Sequence, residues 1–112
     1  MKRDDSTRIK HMLDAAREIM TFKAGRGKDD MQRDRVLMLA LVKEVESIGE
    51  AAAKVSEERR EQLPDIPWRA IIGMRNRLIH AYDEIDADVL WDTISNDIPQ
   101  LIEILERLPE IR

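Results

Sequence analysis

The sequence predicts an all-α protein, an antiparallel up-and-down bundle of four main helices. Three observations carry the prediction. Apolar residues recur at steps of three and four along most of the chain, and no strand-like alternation occurs. Aromatic residues are scarce, with Trp68, Trp91, Phe22 and Tyr82 the complete set, so the core must be built from Leu, Ile, Val, Met and Ala. The turn-forming stretches between periodic segments are short, which places successive helices antiparallel to one another. A chain of 112 residues is read as one domain, 1–112, large enough to enclose a single core.

The first helix is expected over about 6–23. It sets Ile9, Leu13, Ala16 and Met20 on one stripe, with Asp4, Asp5 and Ser6 as cap candidates. The stretch Lys23-Ala24-Gly25-Arg26-Gly27 ends it. The second helix is expected from Asp29–Asp30 to about Val55, with the stripe Leu37, Leu41, Val45, Ile48, Ala52 and Val55. Gly49 and Ala51–Ala53 are small enough to admit a neighbouring backbone. Leu39 and Val42 widen the apolar surface and hint at a second contact, such as another subunit. Ser56 to Pro67 reads as a polar connection. Pro67 opens a third helix that runs to about His80. Asp86 is a candidate N-cap for the last helix, whose stripe is Leu90, Ile94, Ile98, Leu101, Leu105 and Leu108. Pro99 falls inside that stripe and predicts a kink near Asn96–Pro99.

Composition narrows the function classes. Without cysteine there are no disulfides and no thiolate metal sites. The N-terminus is charged from Lys2 onward, unlike a signal peptide. The longest apolar run, Val36 to Val42, is far below the roughly 20 residues of a membrane span. A cytoplasmic protein with no membrane partner is expected. The net charge of −4 is unevenly spread. Residues 67–82 hold Arg69, Arg75 and Arg77 and no acid, whereas residues 83–112 hold nine acids and two arginines. Such a chain would not coat nucleic acid indiscriminately, but it can hold a few phosphates at one basic spot. The acids after residue 82 read as a solvated face, with repulsion of a nucleic acid from the wrong side or docking of a basic partner as the alternatives.

That basic spot carries the chemistry-bearing residues. Arg75-Asn76-Arg77-Leu78-Ile79-His80-Ala81-Tyr82 contains one of two histidines and the single tyrosine. An arginine can hold a phosphate, and an imidazole with an unperturbed pKa of about 6.5 can move a proton near neutrality. On an ideal helix Arg75 lies within the apolar arc of Ile71, Leu78 and Ile79, and about 140° from His80. The two therefore do not form one compact site within a helix. Either the helix loosens at His80, or the residues meet across a cleft made with a second copy of the chain. Two copies of His80 facing across a two-fold axis would supply both a proton acceptor and a proton donor. No Glu-x-x-His or His-x-x-x-His pair marks a metal site, and neither metal nor cofactor is expected. The competing structural readings are an Arg75 paired with Asp83 or Glu84, a His80 at a helix end, and a Tyr82 packed in the core. His11 reads as a surface residue, and Arg77 either as a steering residue for RNA or as a solvated one.

The segment resembles the HEPN superfamily and, within it, the HepT-like toxins. Their motif R-x4-H-x-Y is matched by Arg75, His80 and Tyr82, with Asn76 as the polar residue after the arginine. The lead-in Asp65-Ile66-Pro67-Trp68-Arg69, then Ile71-Ile72-Gly73-Met74, the stretch Asp86 to Trp91 and the proline of the last helix also look like this family. The resemblance implies a helical bundle, dimeric or a higher even oligomer. It implies a metal-independent endoribonuclease toxin with Arg75 and His80 catalytic, Asn76 and Arg77 supporting RNA binding, and RNA cut by attack of its own 2′-hydroxyl. It further implies a minimal nucleotidyltransferase antitoxin, as in type VII toxin–antitoxin pairs, that transfers AMP to Tyr82 and silences the enzyme. The alternative is a non-catalytic subunit that binds a nucleotide or the nucleotidyltransferase.

Overall fold

The computed structural model describes residues 3–79 and 84–111. Helix α1, Arg3–Lys23, buries Ile9, Met12, Leu13, Ala16 and Ile19, a band wider than the stripe read from spacing. Gly25 ends the turn that follows with a φ of +73°, a conformation glycine adopts without steric cost. The short α2, Lys28–Arg33, is closed at its start by the Gly27 N–H donating to the Asp30 carboxylate at 2.7 Å. Asp34 adopts an extended conformation, and its carboxylate accepts from the Leu37 N–H at 3.0 Å. It thereby N-caps α3, Arg35–Lys54.

Helix α3 is the central element. One side packs on α1, and the other on α5, Trp68–Ile72, and α6, Met74–Leu78. Leu41, Val45, Ile48 and Ala52 are fully buried between them. Between α3 and α5 lies α4, Glu57–Gln62. Ser56 caps it by accepting from the Arg59 N–H at 3.2 Å, while its own N–H and hydroxyl donate to the buried Asp5 at 2.8 and 2.7 Å. After α6, Ile79 forms an isolated antiparallel bridge with Ile85. Helix α7, Ala87–Asp92, starts at Asp86, whose carboxylate accepts from the Val89 N–H. It continues through a π-helical segment, Thr93–Asp97, into α8, Ile98–Glu106. Helix α8 returns along α1, where Arg17 pairs with Glu106 at 2.8 Å.

The four-helix up-and-down bundle is corrected by these elements. The described residues are all-α apart from the one bridge, but they form a larger number of shorter helices. The expected second helix divides at Asp34, where a side-chain cap replaces a backbone bond. The expected third helix divides at Gly73 and stops at Leu78, not His80. The polar connection contains α4, fastened by Arg59, whose Nε and Nη2 donate to both oxygens of Glu110 at 2.7–3.0 Å. Near Pro99 the chain takes a π-helical turn. A proline cannot donate to the carbonyl four residues earlier, here Ser95, and the wider turn absorbs that missing bond. Val42, expected on an exposed apolar surface, is buried; Leu39 is 47% exposed and Val36 78%.

Candidate functional site

Gly49 sets where Arg75 stands. A Cβ at this position would lie 3.2 Å from the Ile71 carbonyl oxygen and 3.6 Å from that of Ile72. The absence of a side chain there lets α3 and the end of α5 touch through their backbones without adjustment, the close approach expected from the small residues of this helix. Gly73 then turns the chain from α5 into α6, its N–H donating to the Arg69 carbonyl at 3.0 Å. Arg75 emerges on the side of α3. Its Nε lies 3.6 Å from Glu46 Oε1, with the arginine side chain 50% and the glutamate 23% exposed. The two border a shallow pocket of about 190 Å³ with Val45, Gly49, Ala53 and Ile72 and a second carboxylate, Glu50.

An arginine among apolar neighbours is thus accommodated in two ways. It is half in solvent, and a carboxylate sits beside its Nε. The terminal nitrogens are the ones that grip a phosphate in a forked arrangement, and a pair through Nε does not use them. The acid beside Arg75, among the described residues, is Glu46 and not Glu84. Glu46 stands one turn before Gly49 on α3, but its pairing with Arg75 depends on how α3 and α6 are juxtaposed, which spacing does not give.

Asn76 and Arg77 are both exposed on α6. Arg77 reaches a different place from Arg75: it borders a groove between α5–α6 and α8. The two arginines flank α6 on opposite sides. The helix ends at Leu78, the Ile79 N–H donating to the Arg75 carbonyl and Ile79 turning to an extended φ of −116°. The Asp86 N–H donates to the Leu78 carbonyl at 2.7 Å, so the start of α7 is fastened to the end of α6. Arg75 therefore sits on a short helix, and the motif leaves that helix before its histidine. His80 and Tyr82 lie outside the described residues, as does Asp83, the other acid considered for Arg75.

His11 is exposed on α1, far along the chain from the motif. Among the described residues, no group of three or more His, Cys, Asp or Glu is placed to hold a metal ion. No described helix is long and apolar enough to cross a membrane. A large carboxyl shift lies elsewhere, on α3. Burial, and next the neighbouring Glu18, push Glu44 up to about 7.

Residues 12–108 match the family model described as Ribonuclease HepT-like, and the chain belongs to this family. It is 34% identical over 108 residues to a protein of Thermococcus cleftensis named "Probable ribonuclease HepT", covering 96% of this chain and 98% of that one. It is 36% identical over 93 residues to a protein of Caldanaerobacter subterraneus subsp. tengcongensis, covering 83% of each. It is 30% identical over 105 residues to a protein of Methanocaldococcus jannaschii, covering 94% of this chain and 96% of the relative. Both of these carry the name "Putative RNase". No solved structure matches the chain.

Proposed function

We propose that the chain is a metal-independent endoribonuclease, the toxin of a toxin–antitoxin pair, acting at a site shared by two copies. Membership of the Ribonuclease HepT-like family supports an RNase-type hydrolase activity. The observation that carries the residue assignment is Arg75, half exposed, paired with Glu46 at its Nε and standing in the first turn of α6, five residues before the motif histidine. An imidazole at His80 takes the proton from a 2′-hydroxyl. The 2′-oxygen attacks the adjacent phosphorus, and the bond to the 5′-oxygen breaks. The His80 of a second copy returns a proton to that leaving oxygen. The products are a 2′,3′-cyclic phosphate and a 5′-hydroxyl. Arg75 stabilises the added negative charge on the five-coordinate phosphorus, with Asn76 and Arg77 holding the strand. Both proton transfers use groups of the protein, so the scheme calls for no metal.

Tyr82 is the proposed switch. Its phenol oxygen attacks the α-phosphorus of ATP held by a minimal nucleotidyltransferase, and pyrophosphate leaves. The resulting phosphodiester brings negative charge and adenosine bulk to the RNA site. The type VII pairing and the dimer belong to this same reading. The test is RNA incubated with purified protein in EDTA. Wild type should cut it and His80→Ala should not. Full activity in His80→Ala refutes the assignment. No products from wild type, together with tight ATP or AMP binding, supports the non-catalytic subunit instead.

A further inference from the structure

The groove bordered by Arg77 has the size and lining of a subsite for one nucleobase. Its volume is about 310 Å³, at the small end of ligand pockets. Ala70 and Met74 form one wall and Leu101 and Ile104 the other. These aliphatic walls can cover both faces of a flat ring, as unstacked bases are covered when single-stranded RNA is read. Four polar side chains line the groove. Arg77 offers a cation for a backbone phosphate, Gln100 an amide, and Asp97 and Asp65 carboxylate acceptors, Asp97 from the last helix and Asp65 from just before α5. Asp97 closes the π-helical segment that Pro99 imposes, so the wall that carries the acceptor is the irregular part of the last helix.

Continuity with the proposed catalytic site decides between a base and other occupants. Arg77 follows Arg75 by two residues on the same short helix, one arginine facing α3 and the other facing this groove. A strand whose phosphate sits at Arg75 passes over α6 toward Arg77. The carboxylate edge then selects among bases. Guanine alone presents two adjacent N–H donors, N1–H and the N2 amino group, which match the two oxygens of a carboxylate. Adenine, cytosine and uracil each set an acceptor beside their donor.

We infer that the groove between α5–α6 and α8 is a base-binding subsite that takes a guanine of the RNA strand near the cleaved phosphodiester, with Asp97 as the specificity-determining residue. This inference rests on the ribonuclease reading above. The first experiment sequences the cut positions that wild type, Ala70→Trp and Asp97→Asn leave in a random single-stranded RNA pool. Wild type should show guanine at one fixed place relative to the cut. Asp97→Asn should weaken that preference roughly tenfold, the scale of one bidentate base contact. Ala70→Trp, which fills the groove from an exposed position, should abolish it. Inosine in place of that guanine lacks the N2 amino group and should be cut less by wild type but not by Asp97→Asn, a difference that a structural role for Asp97 would not produce. Circular dichroism melting establishes that each variant folds.

The second experiment measures guanosine monophosphate binding by NMR titration, independent of cleavage. Binding to wild type and its loss in Ala70→Trp are expected. No base preference in wild type, or a preference that survives Ala70→Trp, overturns the subsite. A groove whose filling changes only the oligomeric state is a protein contact, and that result also overturns it. If wild type cuts no RNA, the ribonuclease reading fails, and the nucleotide titration alone decides for or against the groove.

Discussion

Replacing Gly49 with valine should both destabilise the protein and impair the motif arginine. The first added carbon lies 3.2 Å from the Ile71 carbonyl oxygen and 3.6 Å from that of Ile72. Alanine needs only a few tenths of an ångström of movement, and the gain in helix propensity over glycine, about 1 kcal/mol, offsets that strain. Gly49→Ala should therefore be close to neutral. Valine adds two methyl groups against a backbone rather than a flexible side chain. Overpacking of this kind costs about 1–3 kcal/mol, of which the better helix propensity of valine returns about 0.3–0.5. The net loss is about 0.5–2.7 kcal/mol. With a mid-range urea slope of about 2 kcal/mol per molar, the midpoint falls by roughly 0.3–1.3 M. Trp68, at the start of α5, stands on the element displaced and gives the fluorescence readout. The same displacement passes through Gly73 to Arg75, and a misplacement of about 1 Å can cost on the order of a hundredfold in rate. RNA cleavage by the folded variant should fall at least tenfold. A Gly49→Val protein with the wild-type midpoint and undiminished cleavage would refute the claim that this contact positions Arg75.

Arg59→Ala strands the Glu110 carboxylate, whose side chain is 1% exposed, and should cost about 3–5 kcal/mol in urea unfolding. Removing both partners should recover part of that loss, and equal losses in the single and double variants would show that the pair is not coupled. Glu44 gives a pH dependence. Burial and the Glu18 carboxyl raise its pKa from the ordinary 4.5 to about 7, so the folded protein binds the proton more tightly than the unfolded chain. Its contribution is fully present below about pH 4.5 and is lost as pH rises through 7. After allowance for solvent screening the loss is on the order of 1 kcal/mol. Glu44→Gln should flatten the stability profile between pH 5 and 8, and an unchanged slope would contradict the assignment.

Periodicity made much of the scaffold legible. Ile9, Leu13 and Ala16 face the core of α1, and Leu41, Val45 and Ile48 that of α3, because burial selects one face of a helix. The breaks were not legible, because apolar phase continues across them. Met31 and Leu37 are both buried on either side of Asp34, and Ile71 and Met74 on either side of Gly73. Local capping and turning decided those positions. Helix α4 carries no apolar stripe and is held by Ser56, Asp5 and the Arg59–Glu110 pair, contacts separated by some fifty residues. Of the candidate site, the close approach at Gly49 followed from residue size. The Glu46 partner did not, since it depends on how α3 and α6 are juxtaposed. The sides of α6 taken by Arg75 and Arg77 likewise became clear only once α3 and α8 were in place.

The mechanism is tested most directly on a defined RNA that carries a single 2′-deoxy nucleotide on the 5′ side of the cut position. With the attacking oxygen removed, the protein in EDTA should leave that linkage intact. It should still cut the all-ribose strand to a 2′,3′-cyclic phosphate and a 5′-hydroxyl. Cleavage of the deoxy-substituted linkage at the ribose rate would contradict attack by the 2′-hydroxyl, and with it the roles given to Arg75 and His80.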